Sequence, residues 1–185
     1  MCWGYVFYHY QEKNNTKEKH DDPGAISKLK IDKIVSWRKE HLENALSIYN
    51  NQTIITNISK YIHGVDQNSN YLKIKSWIKP MLYEPDFSLV LLVNPSGKPI
   101  INTNPAEPVT EFDKRIIEQA KLSQDIVFSD QLRYYDKTAF IDLAIPLYLN
   151  PERHEGLSGV VFLRIDPEKF FYPLILNWPT PIYYK

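Results

Sequence analysis

The hydrophobic period of this chain changes once, at Asp86, and that change decides what it can fold into. Before Asp86 the apolar residues recur at helical spacing. After it they come in short continuous runs bounded by turn residues, as strands do. Helices first and strands second argue for an α+β fold rather than alternating βαβ units.

The first helical segment starts at Asp22-Pro23, an N-cap followed by proline at the first helical position. Ile26, Leu29, Ile34, Val35, Leu42, Ala45, Leu46 and Tyr49 then form one stripe, with Lys28, Asp32, Lys39 and Glu43 opposite. A helix reaching Tyr49 is far longer than the usual ~11–12 residues, and reads as a stalk. A second helix is expected over 53–62, ended by Gly64 as a C-cap. A third is expected over 71–82, with Pro80 shortening or kinking it.

Residues 88–93 read as a central strand and 99–103 as its hairpin partner. Between them lies a turn with Pro95 second and Gly97 fourth. Thr110 is expected to cap a crossing helix, with Asp113 completing a capping box. Phe112, Ile116, Ile117 and Ala120 are its apolar face. Further strands are expected over 125–130, 138–149 and 158–165, and a short helix after Asp166-Pro167. The sum is about five mostly antiparallel strands with a long N-terminal helix and further helices packed on the sheet. A five-stranded sheet with helices on one face is the PAS-like plan, in which the covered face leaves room for a small ligand.

Segments that carry this order include LKIDKIVSWRKE at 29–40, LVLLVNPSG at 89–97, VFSD at 127–130, IDLAIP at 141–146, IDPEKFFYPLI at 165–175 and WPTP at 178–181. Together they resemble the membrane-distal half of the extracytoplasmic double-Cache (PAS-like) sensor region of prokaryotic histidine kinases and related receptors. The last two are the most specific. The resemblance implies a small-molecule-sensing domain of a transmembrane receptor, on the extracytoplasmic side of the cell membrane. It implies a second Cache domain and an output domain beyond this chain. The alternative within the same receptor type is a ligand-free structural or dimerisation module, with a homodimer formed through the long helix. The expected organisation is 1–21, end of a membrane segment and polar linker; 22–50, stalk helix; 51–178, sensor domain; 179–185, start of a linker.

Composition sets limits on partners. The 22 basic and 22 acidic residues balance to +0, without the basic excess of a nucleic-acid binder. The single cysteine, Cys2, excludes an internal disulfide and a thiolate cluster. The five histidines are scattered without metal-ligand spacing, so neither metal nor cofactor is expected. No phosphate-cradling loop, HExxH or GxSxG elbow is present, and no enzymatic activity is expected.

The candidate ligand residues are Asp130, Arg133 and Tyr135 after the third strand, Asp142 within the fourth, and Trp77 and Tyr83 as a helical wall. Arginine suits a carboxylate or phosphate. Asp142 interrupts an apolar strand, where a charge is costly unless paired or facing a polar space. It reads either as a pocket acid or as a solvent-facing one. The Tyr, Arg, Trp, Tyr and Asp set of amine-sensing Cache receptors cannot be laid onto this sequence, so an amino-acid ligand is not implied.

Overall fold

A computed structural model describes residues 23–84, 86–129, 133–135, 138–168, 170 and 173. The expected membrane-segment end, Asp22, the tail after 173 and the terminal linker lie outside them. The chain divides into a unit ending at His41 and a unit beginning at Leu42. No helix among the described residues is long and apolar enough to cross a membrane.

Helix α1 spans Pro23–Tyr49 as its stripe predicts. In the first unit Leu29, Ile31 and Val35 are exposed, whereas Trp37 and His41 are buried. The Trp37 and His41 rings lie 4.5 Å apart, and His41 Nδ1 bonds the Trp37 carbonyl at 3.0 Å. In the first unit the buried residues are therefore Trp37 and His41 rather than the expected Leu29 and Val35, whereas Ala45 of the expected stripe is buried in the second unit. Apolar residues surround most of this helix, so periodicity alone does not single out a face.

In the second unit α2 runs Gln52–Ile62. Asn51 caps it by accepting the Ile54 amide, and Gly64 follows at φ +77°. Helix α3 runs Gln67–Ile78 and passes at Pro80 into a 3-10 turn, Lys79–Tyr83. It begins earlier than expected because buried Asn70 ties its own start. The Asn70 Nδ2 donates to the carbonyls of Val65 at 2.8 Å and Asp66 at 3.1 Å. A polar stretch that resembles a loop by composition is thus wound into the first turn.

The strands are β1 Phe87–Val93, β2 Pro99–Asn102, β3 Val127–Phe128, β4 Arg133–Tyr135, β5 Thr138–Asn150 and β6 Glu155–Ile165. The order is β2-β1-β6-β5-β3, with β4 also on β5, and every pairing is antiparallel. Counting the interrupted β3/β4 edge as one strand, this is the five-stranded PAS-like order. The expected strand over 125–130 is cut short because the Asp125 carboxylate takes the Ile126 amide at 2.7 Å. Helix α4, Glu111–Ser123, carries the expected capping box: Thr110 Oγ1 accepts from the Asp113 amide and the Asp113 carboxylate accepts from the Thr110 amide.

Alternation along the strands gives the sheet two buried faces. Leu89, Leu91, Val93, Val127, Ala144, Val160 and Phe162 pack with Ile116, Ile117 and Ala120 of α4 on the front. Val90, Leu92, Leu143, Ile145, Val161 and Leu163 point to the back and are no more than 1% exposed. There α2 packs over β5 and β6 through Ile54, Ile55 and Ile58, and α3 packs on α2. Helices thus cover both faces, where the sequence suggests one. This explains why the strands read as unbroken apolar runs.

The β1–β6 seam is unusually close at Gly159. A Cβ built there would stand 2.4 Å from the Val93 carbonyl oxygen. Gly159→Ala is therefore expected to cost about 2–3 kcal/mol, read as a lowered urea midpoint with an unchanged slope.

A second test concerns the tyrosines at the end of the sheet. Burial, and then the nearby Asp125 carboxylate, holds the Tyr49 phenol above its ordinary value of 10.0. Burial, and then Tyr49, does the same for Tyr148. A phenol whose folded-state value is raised stabilises the fold only while neutral. The contribution is full below the unfolded value and is lost as pH rises through the folded one. Stability is expected to fall above about pH 10, and Tyr148→Phe to flatten that alkaline limb in a denaturation series.

Candidate functional site

The front face is not uniformly apolar. Asp142 on β5 and Arg164 on β6 stand directly opposite each other in the register. Each interrupts an apolar strand, and both are buried, Asp142 at 0% and Arg164 at 2% exposure. Arg164 Nε donates to Asp142 Oδ1 at 3.0 Å. Its Nη2 donates to Asp113 Oδ1 at 2.6 Å, and its Nη1 to Glu107 Oε1. All three nitrogens of the guanidinium are engaged, each by a different element. Phe140 and Phe162, two residues before Asp142 and Arg164 on their strands, place their rings 5.3 and 5.5 Å from the guanidinium carbon.

The carboxylates are themselves held. Asp113 turns Oδ2 to the Thr110 amide at 2.8 Å, so one side chain both caps α4 and anchors it to β6. Glu107, on the loop between β2 and α4, accepts from Asn104 Nδ2 at 3.3 Å through its other oxygen. Burial works against the charge of Arg164, but Asp142, Asp113 and Glu107 outweigh it and hold the guanidinium above its ordinary value. Asp142 is thus neither a solvent-facing acid nor an open pocket acid. It is one arm of a buried clamp.

Beside the clamp, α4 and the β3 edge enclose a crevice of about 290 Å³. Phe112, Ile116, Val127 and Phe128 form its apolar walls, and Arg115, Gln119 and Ser129 its polar points. The Arg115 guanidinium lies 5.6 Å above the Phe112 ring. The Ser129 amide donates to the Asp142 carbonyl at 2.7 Å, which continues the β3 pairing up to the clamp. The volume lies just under the range for small-ligand pockets, ~300–1,000 Å³.

The expected site residues are distributed unevenly. Asp130 lies outside the described residues. Arg133 and Tyr135 are in β4, paired with Phe140 and Thr138; their side chains are outside the described set. Trp77 is half-buried on α3, and Tyr83 is 75% exposed at the end of the 3-10 turn. Neither lines the crevice, because α3 packs on α2 and the helical wall is α4. Arg164, Glu107, Arg115 and Gln119 are absent from the sequence-based set, and Asp113 enters it only as a cap. Arg164 carried a usable signal: like Asp142, it is a charge inside an apolar strand, and of opposite sign. No group of three or more His, Cys, Asp or Glu among the described residues could hold a metal ion.

No family model matches the chain, and no curated protein matches it by sequence. Solved structures align over most of the chain at low identity. The sensory domain of the Campylobacter jejuni chemoreceptor Tlp3 (CcmL), with isoleucine bound, aligns at TM-score 0.49 and 17% identity over 95% of this chain and 66% of its own. A domain of a putative sensory box/GGDEF family protein from Vibrio parahaemolyticus aligns at 0.44 and 12% identity over 88% of this chain and 67% of its own. The ligand-binding domain of Mlp24 with asparagine aligns at 0.38 and 18% identity over 80% of this chain and 61% of its own. The chain spans about two-thirds or less of the length of these sensory chains.

Removing the guanidinium would take away the cation that buried Asp142 and Asp113 and partly buried Glu107 share. Arg164→Met is expected to cost about 3–5 kcal/mol in chemical denaturation. Asp142→Asn in the Arg164→Met background is expected to recover part of that loss. Independent, additive effects of the two changes would mean that the pair is not coupled.

Proposed function

We propose that this chain is the extracytoplasmic small-molecule-sensing domain of a transmembrane signal-transduction receptor, of the two-component histidine-kinase type. The observation that carries this reading is the front-face crevice and its relation to the clamp. The helix that lines the crevice, α4, is the helix whose first turn is bound to β6 through Asp113 and Arg164. A ligand that pulls on α4 therefore acts on the sheet through defined bonds. To signal, it must bind one α4 position better than the other. In this reading the titratable groups of the clamp serve position and not chemistry, and the domain is not an enzyme. Arg133 and Tyr135, in the strand paired with β5, and Asp130 remain proposed contributors to the ligand site. Membrane attachment and the kinase belong to the rest of the receptor.

A ligand-free dimerisation module is the second reading. Its support is the exposed apolar residues of α1, with Ile31 and Val35 each 59% exposed.

A thermal-shift screen of the chain against small metabolites (organic acids, amines, sugars and amino acids) separates the two. A ligand at ~100 times its dissociation constant adds about 2.7 kcal/mol. The sensor reading expects at least one reproducible shift. It also expects that shift to vanish in Gln119→Trp, which fills the crevice from an exposed helix position and leaves the circular dichroism unchanged. No shift across the set, with concentration-dependent dimers that dissociate in Ile31→Glu, would replace it with the dimerisation reading.

A further inference from the structure

We infer that the α4–β3 crevice takes a small organic anion with an apolar body, its carboxylate seated on Arg115. The inference rests on the sensor reading and deepens it to a ligand class.

Charge supply on the α4 surface is the first argument. Glu111 and Glu118 lie at i−4 and i+3 from Arg115 and would be its natural partners on a helix. Both are taken by lysines: Lys114 Nζ meets Glu111 Oε1 at 2.6 Å, and Lys121 Nζ meets Glu118 Oε1 at 2.6 Å. Arg115 forms no ion pair with another described residue. Its guanidinium lies over the Phe112 ring instead, a contact that orients the planar fork without neutralising it.

The second argument is the charge of the crevice itself. Its described lining holds one cation, Arg115, and no carboxylate. Asp113, Asp142 and Glu107 are turned to Arg164 and are not among the lining residues, and neither are Glu111 and Glu118. An ammonium group entering here meets a like charge, whereas a carboxylate meets an opposite one. Gln119 stands one turn beyond Arg115 and is able to donate to carboxylate oxygens.

Shape and polarity supply the third argument. The remaining walls, Ile116, Val127, Phe112 and Phe128, are apolar. A crevice of about 290 Å³ suits a compact aryl or branched-alkyl acid.

The test uses phenylacetate, its neutral amide and phenethylamine as probes of the same body with three charges. Benzoate and isovalerate vary the body. Binding to the chain is measured by calorimetry. At least one of the three carboxylates is expected to bind. For phenylacetate, about tenfold or more is expected over the amide, with the amine weaker still. Arg115→Gln should abolish the preference, and Arg115→Lys should keep part of it; Arg115 is exposed, so neither change disturbs the core. Equal or tighter binding of the amide or amine overturns the anion class. So does binding of a carboxylate that is indifferent to Arg115→Gln. In either case Gln119→Trp sensitivity would leave the sensor reading standing. If neither these probes nor the broader metabolite screen yields a ligand, both readings fall together.

Discussion

The front face is organised around one guanidinium. Burying a charge is costly, and an interior ion pair is stable only when its geometry and hydrogen bonds are nearly complete. Arg164 meets that condition with three carboxylates from three places: the adjacent strand, the first turn of α4, and the loop that leads into α4. A hydrophobic residue at 164 could pack against Phe140 and Phe162, but it would fix no register and no helix position. The clamp does both. It aligns β5 with β6 at one residue pair, and it fixes where α4 begins.

Local and tertiary constraints meet in Asp113. By sequence it belongs to a capping box, a device that operates within a single turn of helix. In the structure the same carboxylate reaches β6 with its other oxygen. The start of α4 is therefore determined twice, once by its own backbone and once by the sheet. Agreement between levels of this kind separates a single native arrangement from several near-degenerate ones.

Much of the fold was legible because it rests on local signals. The capped start of α4 at Thr110, the Gly64 and Gly97 turns and the long apolar runs of β1 and β6 each have a short-range cause. The errors have physical reasons too. Helix α3 begins early because Asn70 bonds backward to two carbonyls, which residue type alone does not announce. The buried face of α1 was misassigned because its apolar residues do not keep to one side. The site was less legible. Asp142 was recognisable as an anomaly, but its meaning depends on Arg164, 22 residues away and opposite only through strand pairing. Glu107 and Arg115 look ordinary in sequence, and only the tertiary arrangement distinguishes them. Trp77 and Tyr83 appealed as aromatic wall residues, yet the helix that bears Trp77 packs on α2 rather than over the crevice.

The close approach at Gly159 divides the sheet mechanically. At Gly159 the β1–β6 seam has no room even for a methyl group, and six residue pairs join those two strands, a firm plate. On the far side β3 and β4 hold to β5 through two and three paired residues, a compliant margin. The crevice opens on that margin. Substitutions there can reshape what the domain accepts without being transmitted to the plate. Such an arrangement lets ligand preference diverge quickly among descendants of one fold while the framework itself tolerates little change.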